Sequence, residues 1–454
     1  MTFTCSERVA AFVTGFDLQA APAELTDLAQ TALIDTIGVM LAGSAEPASG
    51  IVCDMIASEA AAPAAGIVGR GLRTSPQSAA LANGTATQAL DFDLSFMSGQ
   101  SAAAVVPAIL PLAESLNATA EELIAAWVVG CEVSARIVRS FPSMSSGGSW
   151  HAAGVAGVFA SAAACARLMQ VPEPQIPAIM GIAASMPAGL GENYGTMTKP
   201  LHPGRAARDG MEAAFLGARG FTASASAIEG RQGFLALYAR SFDWDPSPFD
   251  DLGEVYNLTA PGYRIKPFAC GGLLHTSIEA ALQLRDKALP RLDRIEAIRV
   301  TVTTHAANRV IDRYPWSDDS SRFSLKYLVP YALIHGAPTL ATFTEKALDD
   351  PRVRALSEKI STGVDREFPD TTAEGGSPGR VRIAFDDGSS LERAVLDASG
   401  SPAAPMTETV FRAKFDDCCA QSVDAGKADA LYSYLRSPGE MRKLGDLWPL
   451  LSPE

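Results

Sequence analysis

The sequence predicts a mostly α chain in which a large helical bundle is followed by a smaller α+β domain. From Ala20 to about Arg240 the apolar residues recur at helical spacing. Beyond residue 267 the period shortens to two, with Ile298, Val300 and Val302 alternating with Arg299, Thr301 and Thr303. The chain has 454 residues, 47% of them hydrophobic and 19% charged, which is too long for one compact core and apolar enough to fill two.

The bundle is punctuated by stop and start signals: "NGT" at 83–85, "SSGGS" at 145–149, "PEPQIP" at 172–177 and "HPGR" at 202–205. Glu121–Arg136 ("EELIAAWVVGCEVSAR") has an acidic first turn and a basic last one, the order that suits a helix dipole. The small-residue runs at 152–166 and 176–190 are shorter than the ~20 residues a membrane span needs and read as buried helices. A Pro/Gly break, "APGYRIKPF", ends this region.

In the second region helical patterns occupy Leu274–Leu284 and Ser324–Ile334. A second alternating stretch carries Val381, Ile383 and Phe385, and "DDG" then turns the chain into "SSLERAVL", a hairpin signal. The tail, 407–450, returns to helical spacing and is open to two placements, against the small domain or back on the bundle.

A net charge of −14, from 37 Lys and Arg against 51 Asp and Glu, argues against nucleic acid and anionic membranes as partners. An anionic ligand must therefore meet a local cluster of cations. Seven cysteines without a C-x-x-C pair suggest neither a disulfide framework nor a zinc site, and "MTFTCSERVAAFV" lacks the pattern of an export signal. A reducing cytoplasm is the expected setting.

Only five histidines are present. "GGSWHAAG" puts His151 at the start of a helix, where the dipole favours a neutral, proton-accepting imidazole. "GTMTKPLHPGRAARDG" gathers Lys199, His202, Arg205 and Arg208 before a helical run, a pattern suited to a carboxylate or phosphate. "YRIKPFACGGLLH" places Lys266 at the domain boundary with His275 nearby, and "SRFSLKYLVPYAL" adds Tyr327 more weakly. "QALDFDLSFMSGQ" sets Asp91 and Asp93 on either side of Phe92 in otherwise apolar surroundings.

In order and spacing, "NGTATQALDFD", "AAAVVPAILPLAE", "GVFASAAACARL", the block from 195 to 234 and "IKPFACGGLLH" resemble the MmgE/PrpD family, which includes 2-methylcitrate dehydratase, cis-aconitate decarboxylase and iminodisuccinate epimerase. The resemblance implies a helical domain, discontinuous in sequence, made of 1–266 together with 400–454, and an inserted α+β domain at 267–399. It also implies a homodimer, a small anionic polycarboxylate as substrate, a site between the domains, and no metal or organic cofactor. The family's functional positions fall on Asp91, His151, Lys199 and Lys266, and less directly on His275 and Tyr327.

One departure bears on chemistry. Family members typically read H-x-L-D-F-D-D-T-H followed by a loop with H-P-S, whereas this chain has Gln88, Leu94, Ser95 and Gln100. A dehydratase needs an acid for its leaving hydroxyl, and histidine is the usual one near neutral pH. An epimerase needs only two proton-transfer groups on opposite faces of a carbon, roles open to His151 with Lys199 or Asp91. On that ground the sequence favours a cofactor-independent epimerase of a polycarboxylate such as iminodisuccinate, with His151, Lys199, Asp91 and Lys266 as the catalytic groups and Arg205, His202, His275, Tyr327 and Gln100 in binding roles. A 2-methylcitrate-type dehydratase is the alternative, and an inactive polycarboxylate-binding member is the alternative of another class.

Overall fold

The computed structural model describes residues 3–97, 99–141, 144, 150–239, 244–315, 317–371, 376–437 and 444–453. The "SSGGS" signal at 145–149 lies outside them. The fold is mostly α, with 55% helix and 10% strand. It divides into two compact units, one made of residues 1–263 with 412–454 and the other of 264–411.

In the first unit the helices are α1 (Cys5–Gly15), α2 (Glu24–Ser44), α3 (Pro47–Ala57), α4 (Pro76–Ala89), α5 (Val105–Leu116), α6 (Ala120–Ser140), α7 (Ala152–Leu168), α8 (Ile176–Ala183) and α9 (Thr198–Gly217). Local chemistry sets several starts. Thr4 with Glu7 and Thr119 with Glu122 form capping boxes on α1 and α6, and Ser75 caps α4 ahead of Pro76. α2 is apolar and long enough to cross a membrane, yet 78% of its most apolar window is buried inside the fold. The run at 176–190 is helical only to Ala183.

Two of the expected breaks are helix interior. "NGT" lies within α4, and "HPGR" lies within α9 with Pro203 inside the helix. The small residues are there because the two helices touch. A Cβ on Gly84 would sit 2.5 Å from the Gly204 Cα, and one on Gly204 would sit 2.4 Å from the Leu81 carbonyl oxygen. Only a hydrogen side chain allows that approach.

A charged group organises part of the bundle core. Glu132 on α6 accepts from Arg136 at 2.7 Å and from the backbone N–H groups of Asn257 and Leu258 at 3.0 and 2.9 Å. Burial raises the Glu132 pKa, and Arg136 and the two amides oppose that rise. All seven cysteines are free and buried.

The second unit carries a four-stranded sheet of β1 (Ile295–Val302), β2 (Ile360–Val364), β3 (Gly379–Phe385) and β4 (Ser390–Val395), in the order β2-β1-β3-β4. β1 pairs in parallel with β2 and antiparallel with β3, and β3 pairs antiparallel with β4. Ile298, Val300 and Val302 are buried, as are Val381, Ile383 and Phe385, so one sheet face is apolar. The "DDG" turn uses Gly388 at φ +78°, a left-handed position that glycine occupies without strain. β2 was not legible, because "ISTGV" alternates poorly. Helices α10 (His275–Ala288) and α11 (Leu325–His335) fall on the two helical patterns.

The tail forms α12 (Glu408–Cys419) and α13 (Ala425–Arg436), and from Arg412 onward it belongs to the first unit. Phe415 packs on α2 at Gly38, where an added Cβ would lie 3.0 Å from the ring. Residues 400–411, expected with the helical domain, fall in the second unit. The reason is a backbone tie in which Ile265 N–H donates to the Gly400 carbonyl at 2.9 Å and Gly400 N–H to that of Ala404 at 2.8 Å.

Candidate active site

The first unit brings five of the expected residues into two contacting groups, and the first two turns of α9 connect them. Asp91 follows directly on α4, whose C-cap is Leu90. Its backbone is left-handed at φ +51°, a conformation that aspartate tolerates better than most side chains. Because the glycine contact draws α4 against α9, the Asp91 carboxylate meets Lys199 on α9 at 2.5 Å. The two side chains are 8% and 7% exposed, so this is a buried ion pair. Gln100 donates to the same Asp91 oxygen at 3.1 Å.

His202 lies three residues after Lys199 and therefore on the same face of α9. Its Nδ1 is 3.0 Å from the Nδ1 of His151. Burial, and then the nearby Lys199 charge, lower the His202 pKa from its ordinary value. His151 is the N-cap of α7, and its N–H donates to the Gly189 carbonyl at 3.0 Å. Gly189, at φ +135°, lies against both imidazoles, since a Cβ there would be 3.3 Å from the His202 ring and 3.5 Å from the His151 Cβ. Tyr194 stands edge-on to His151 with ring centroids 5.3 Å apart. Neither Gly189 nor Tyr194 was singled out from the sequence, as "GLGENYG" gives only a turn signal.

Two nitrogens 3.0 Å apart share one proton, so one ring donates and the other accepts. Burial and the Lys199 charge favour the neutral form of His202, whose Nδ1 can take either role. The pair can then pass a proton along its line. Lys199 has three ammonium donors, one of which goes to Asp91.

The other expected residues serve differently. Arg205 is 56% exposed and pairs with Asp209 at 3.4 Å, one turn along α9, so it does not join the Lys199 group. Gln88 donates to Asp93 at 3.1 Å, which makes Asp93 a structural anchor of its own loop. In the second unit Lys266 is buried. His275, also buried, opens α10 with its Nε2 3.2 Å from the Cys270 carbonyl and its ring edge-on to Phe268. Tyr327 is fully buried and its hydroxyl donates to the Thr342 carbonyl at 2.6 Å, which commits the phenol to holding its own unit together. Among the described residues no group of three or more His, Cys, Asp or Glu side chains is placed to hold a metal ion.

Comparison with known proteins matches residues 7–247 to the MmgE/PrpD N-terminal domain and residues 268–434 to the MmgE/PrpD C-terminal domain. The chain belongs to the MmgE/PrpD family. It is 27% identical to a cis-aconitate decarboxylase of Aspergillus terreus across 95% of this chain and 91% of that protein. To the cis-aconitate decarboxylase of Homo sapiens it is 28% identical, over 66% of this chain and 63% of the relative. The 2-methylcitrate dehydratase of Escherichia coli is 31% identical over 27% of each chain. These relatives are enzymes, and their names are those of polycarboxylate lyases. None of the named relatives is an epimerase.

Proposed function

We propose that this MmgE/PrpD member is a lyase of a small polycarboxylate, with carbon–carbon cleavage releasing carbon dioxide as its first-ranked reaction and loss of water as the second. The observation that carries this reading is the 3.0 Å contact between His151 and His202, with Lys199 on the same helix face. The similarity to decarboxylases over nearly the whole chain supports decarboxylation, and the shorter similarity to dehydratases supports dehydration.

The preference for an epimerase rested on the missing histidines at 88 and 100, which left no evident acid. The contact between His151 and His202 supports an acid elsewhere in the site. Gln100 meanwhile takes part by fixing the Asp91 carboxylate on the oxygen that also receives Lys199.

In the proposed decarboxylation the bond from carbon to a departing carboxylate breaks, carbon dioxide leaves, and the electron pair stays on a carbon conjugated with another carboxylate. His151 delivers the proton that quenches this carbanion, and His202 accepts or returns a proton at Nδ1 as His151 changes charge. Lys199 offers ammonium hydrogens to the substrate carboxylate on which negative charge accumulates. The Asp91 carboxylate holds the ammonium in place.

The test is proton NMR in deuterium oxide with cis-aconitate, 2-methylcitrate and iminodisuccinate as separate substrates. Loss of carbon dioxide with a deuteron at the new C–H position is expected, or loss of water as the second reaction. Deuterium exchange with the carbon skeleton intact would make the protein an isomerase, and no change in any of the three would refute the reading.

A further inference from the structure

Lys414 on α12 is 8% exposed, and its ammonium has three partners, all within the first unit. It pairs with the Asp35 carboxylate of α2 at 2.6 Å and donates to the Phe92 carbonyl at 3.0 Å. It also stands 4.0 Å from the centre of the Phe92 ring. Asp35 is itself 3% exposed. A lysine and an aspartate so far from water are costly to bury for stability alone, since an apolar pair of similar volume generally serves at least as well.

Phe92 is the residue directly after Asp91. Its peptide therefore sits between the left-handed Asp91, which holds Lys199, and Asp93, which is tied to Gln88. Each neighbour is fixed by its own side chain, and Lys414 fixes the carbonyl between them. The carbonyl direction depends on the backbone torsions of Phe92, and a rotation there would swing the Asp91 carboxylate away from α9.

We propose that Lys414, held by Asp35, is a positioning residue for the active site: it clamps the Phe92 carbonyl and ring so that Asp91 keeps Lys199 in its reactive place. The proposal rests on the reading of Asp91 and Lys199 as parts of the site. Lys414 does not touch the substrate, and its effect passes through the backbone.

The test compares two double variants of the full-length protein. Asp35→Leu with Lys414→Met removes both charges and the grip on the carbonyl. Asp35→Asn with Lys414→Gln removes the charges and keeps a donor. The first is expected to lower kcat at least ~10-fold with KM within ~3-fold of the parent, and the second to recover most of kcat. Backbone amides of residues 90–97, followed by hydrogen exchange, should exchange faster in the first variant only. Unchanged kcat and exchange in a folded Asp35→Leu/Lys414→Met protein would overturn the proposal, as would equal losses in the two doubles. Lys414→Arg is the further variant should a double fail to fold: it keeps the charge beside Asp35 but its larger planar head displaces the Phe92 peptide, and full activity with unchanged exchange would count against the clamp. If the parent turns over none of the three substrates, the functional reading fails, while the exchange rates still decide the clamp.

Discussion

Replacing Lys199 with methionine tests the buried pair at the centre of the site. The side chains of Lys199 and Asp91 are 7% and 8% exposed, and the ammonium meets the carboxylate at 2.5 Å. Removing one partner of such a pair typically costs ~3–5 kcal/mol, because the other charge stays buried. Here Gln100 still donates to Asp91 at 3.1 Å, and a hydrogen bond to a charged group contributes roughly 1.5–3 kcal/mol. That bond is present before and after the change, so the expected loss for Lys199→Met stays at about 3–5 kcal/mol. Asp91→Asn together with Lys199→Met removes both charges, so the double should lose less than the sum of the singles by at least ~1 kcal/mol. Urea unfolding followed through tryptophan fluorescence, to which the fully buried Trp127 of α6 contributes, measures each difference. The same Lys199→Met protein should turn over at least ~10²-fold more slowly. A single variant within ~0.5 kcal/mol of the parent, or strict additivity in the cycle, would refute the reasoning.

Three other outcomes follow from the geometry. Burial and Lys199 hold the His202 pKa below its ordinary value, so below pH ~6.5 the unfolded chain binds a proton that the native protein resists. Stability should therefore fall as pH drops below ~6.5, with a slope well under the limit of ~1.4 kcal/mol per pH unit because His202 is only partly buried, and His202→Asn should flatten this dependence in urea titrations. Gly204→Ala places a methyl 2.4 Å from the Leu81 carbonyl oxygen and 2.7 Å from Thr85 Oγ1, so α4 and α9 must separate. A loss of ~1–3 kcal/mol is expected together with lower kcat, read from thermal unfolding and steady-state rates. Tyr327→Phe leaves the Thr342 carbonyl without its 2.6 Å donor and should cost about 1–3 kcal/mol in thermal unfolding of the second unit.

Much of the fold was legible because the chain signals it locally. The change from period 3.6 to period 2 near residue 298 marks the sheet, and the glycine in "DDG" marks its hairpin. The breaks predicted at Gly84 and Gly204 failed for a physical reason: a helix–helix contact and a helix terminus both select glycine, and a single sequence does not separate them. Asp91, His151, Lys199 and His202 were legible as polar groups among small apolar residues, and the structure joins them into two contacting pairs. Their pairing was not, since it depends on α4, α7 and α9 meeting across long stretches of sequence. Arg205 belonged to the same basic cluster on paper, but its side chain is 56% exposed and is taken up by Asp209 one turn further along α9. Lys414 was invisible for the opposite reason, as "FRAKFDD" looks like any exposed helix face until its burial is known.

The Lys414 contact also has a meaning in time. Translation delivers Asp91 early and its support late, because Lys414 lies 322 residues beyond Phe92. Through most of its synthesis the nascent chain can assemble α1 to α9 without the ammonium that fills the space between α2 and the Phe92 peptide. The finished arrangement is reached only when the last helices leave the ribosome. A chain that stops short before residue 414 would carry every one of the groups proposed to handle protons, with Asp91 on a loop that lacks the Lys414 contact, so the proposed clamp ties the site to a late part of the chain.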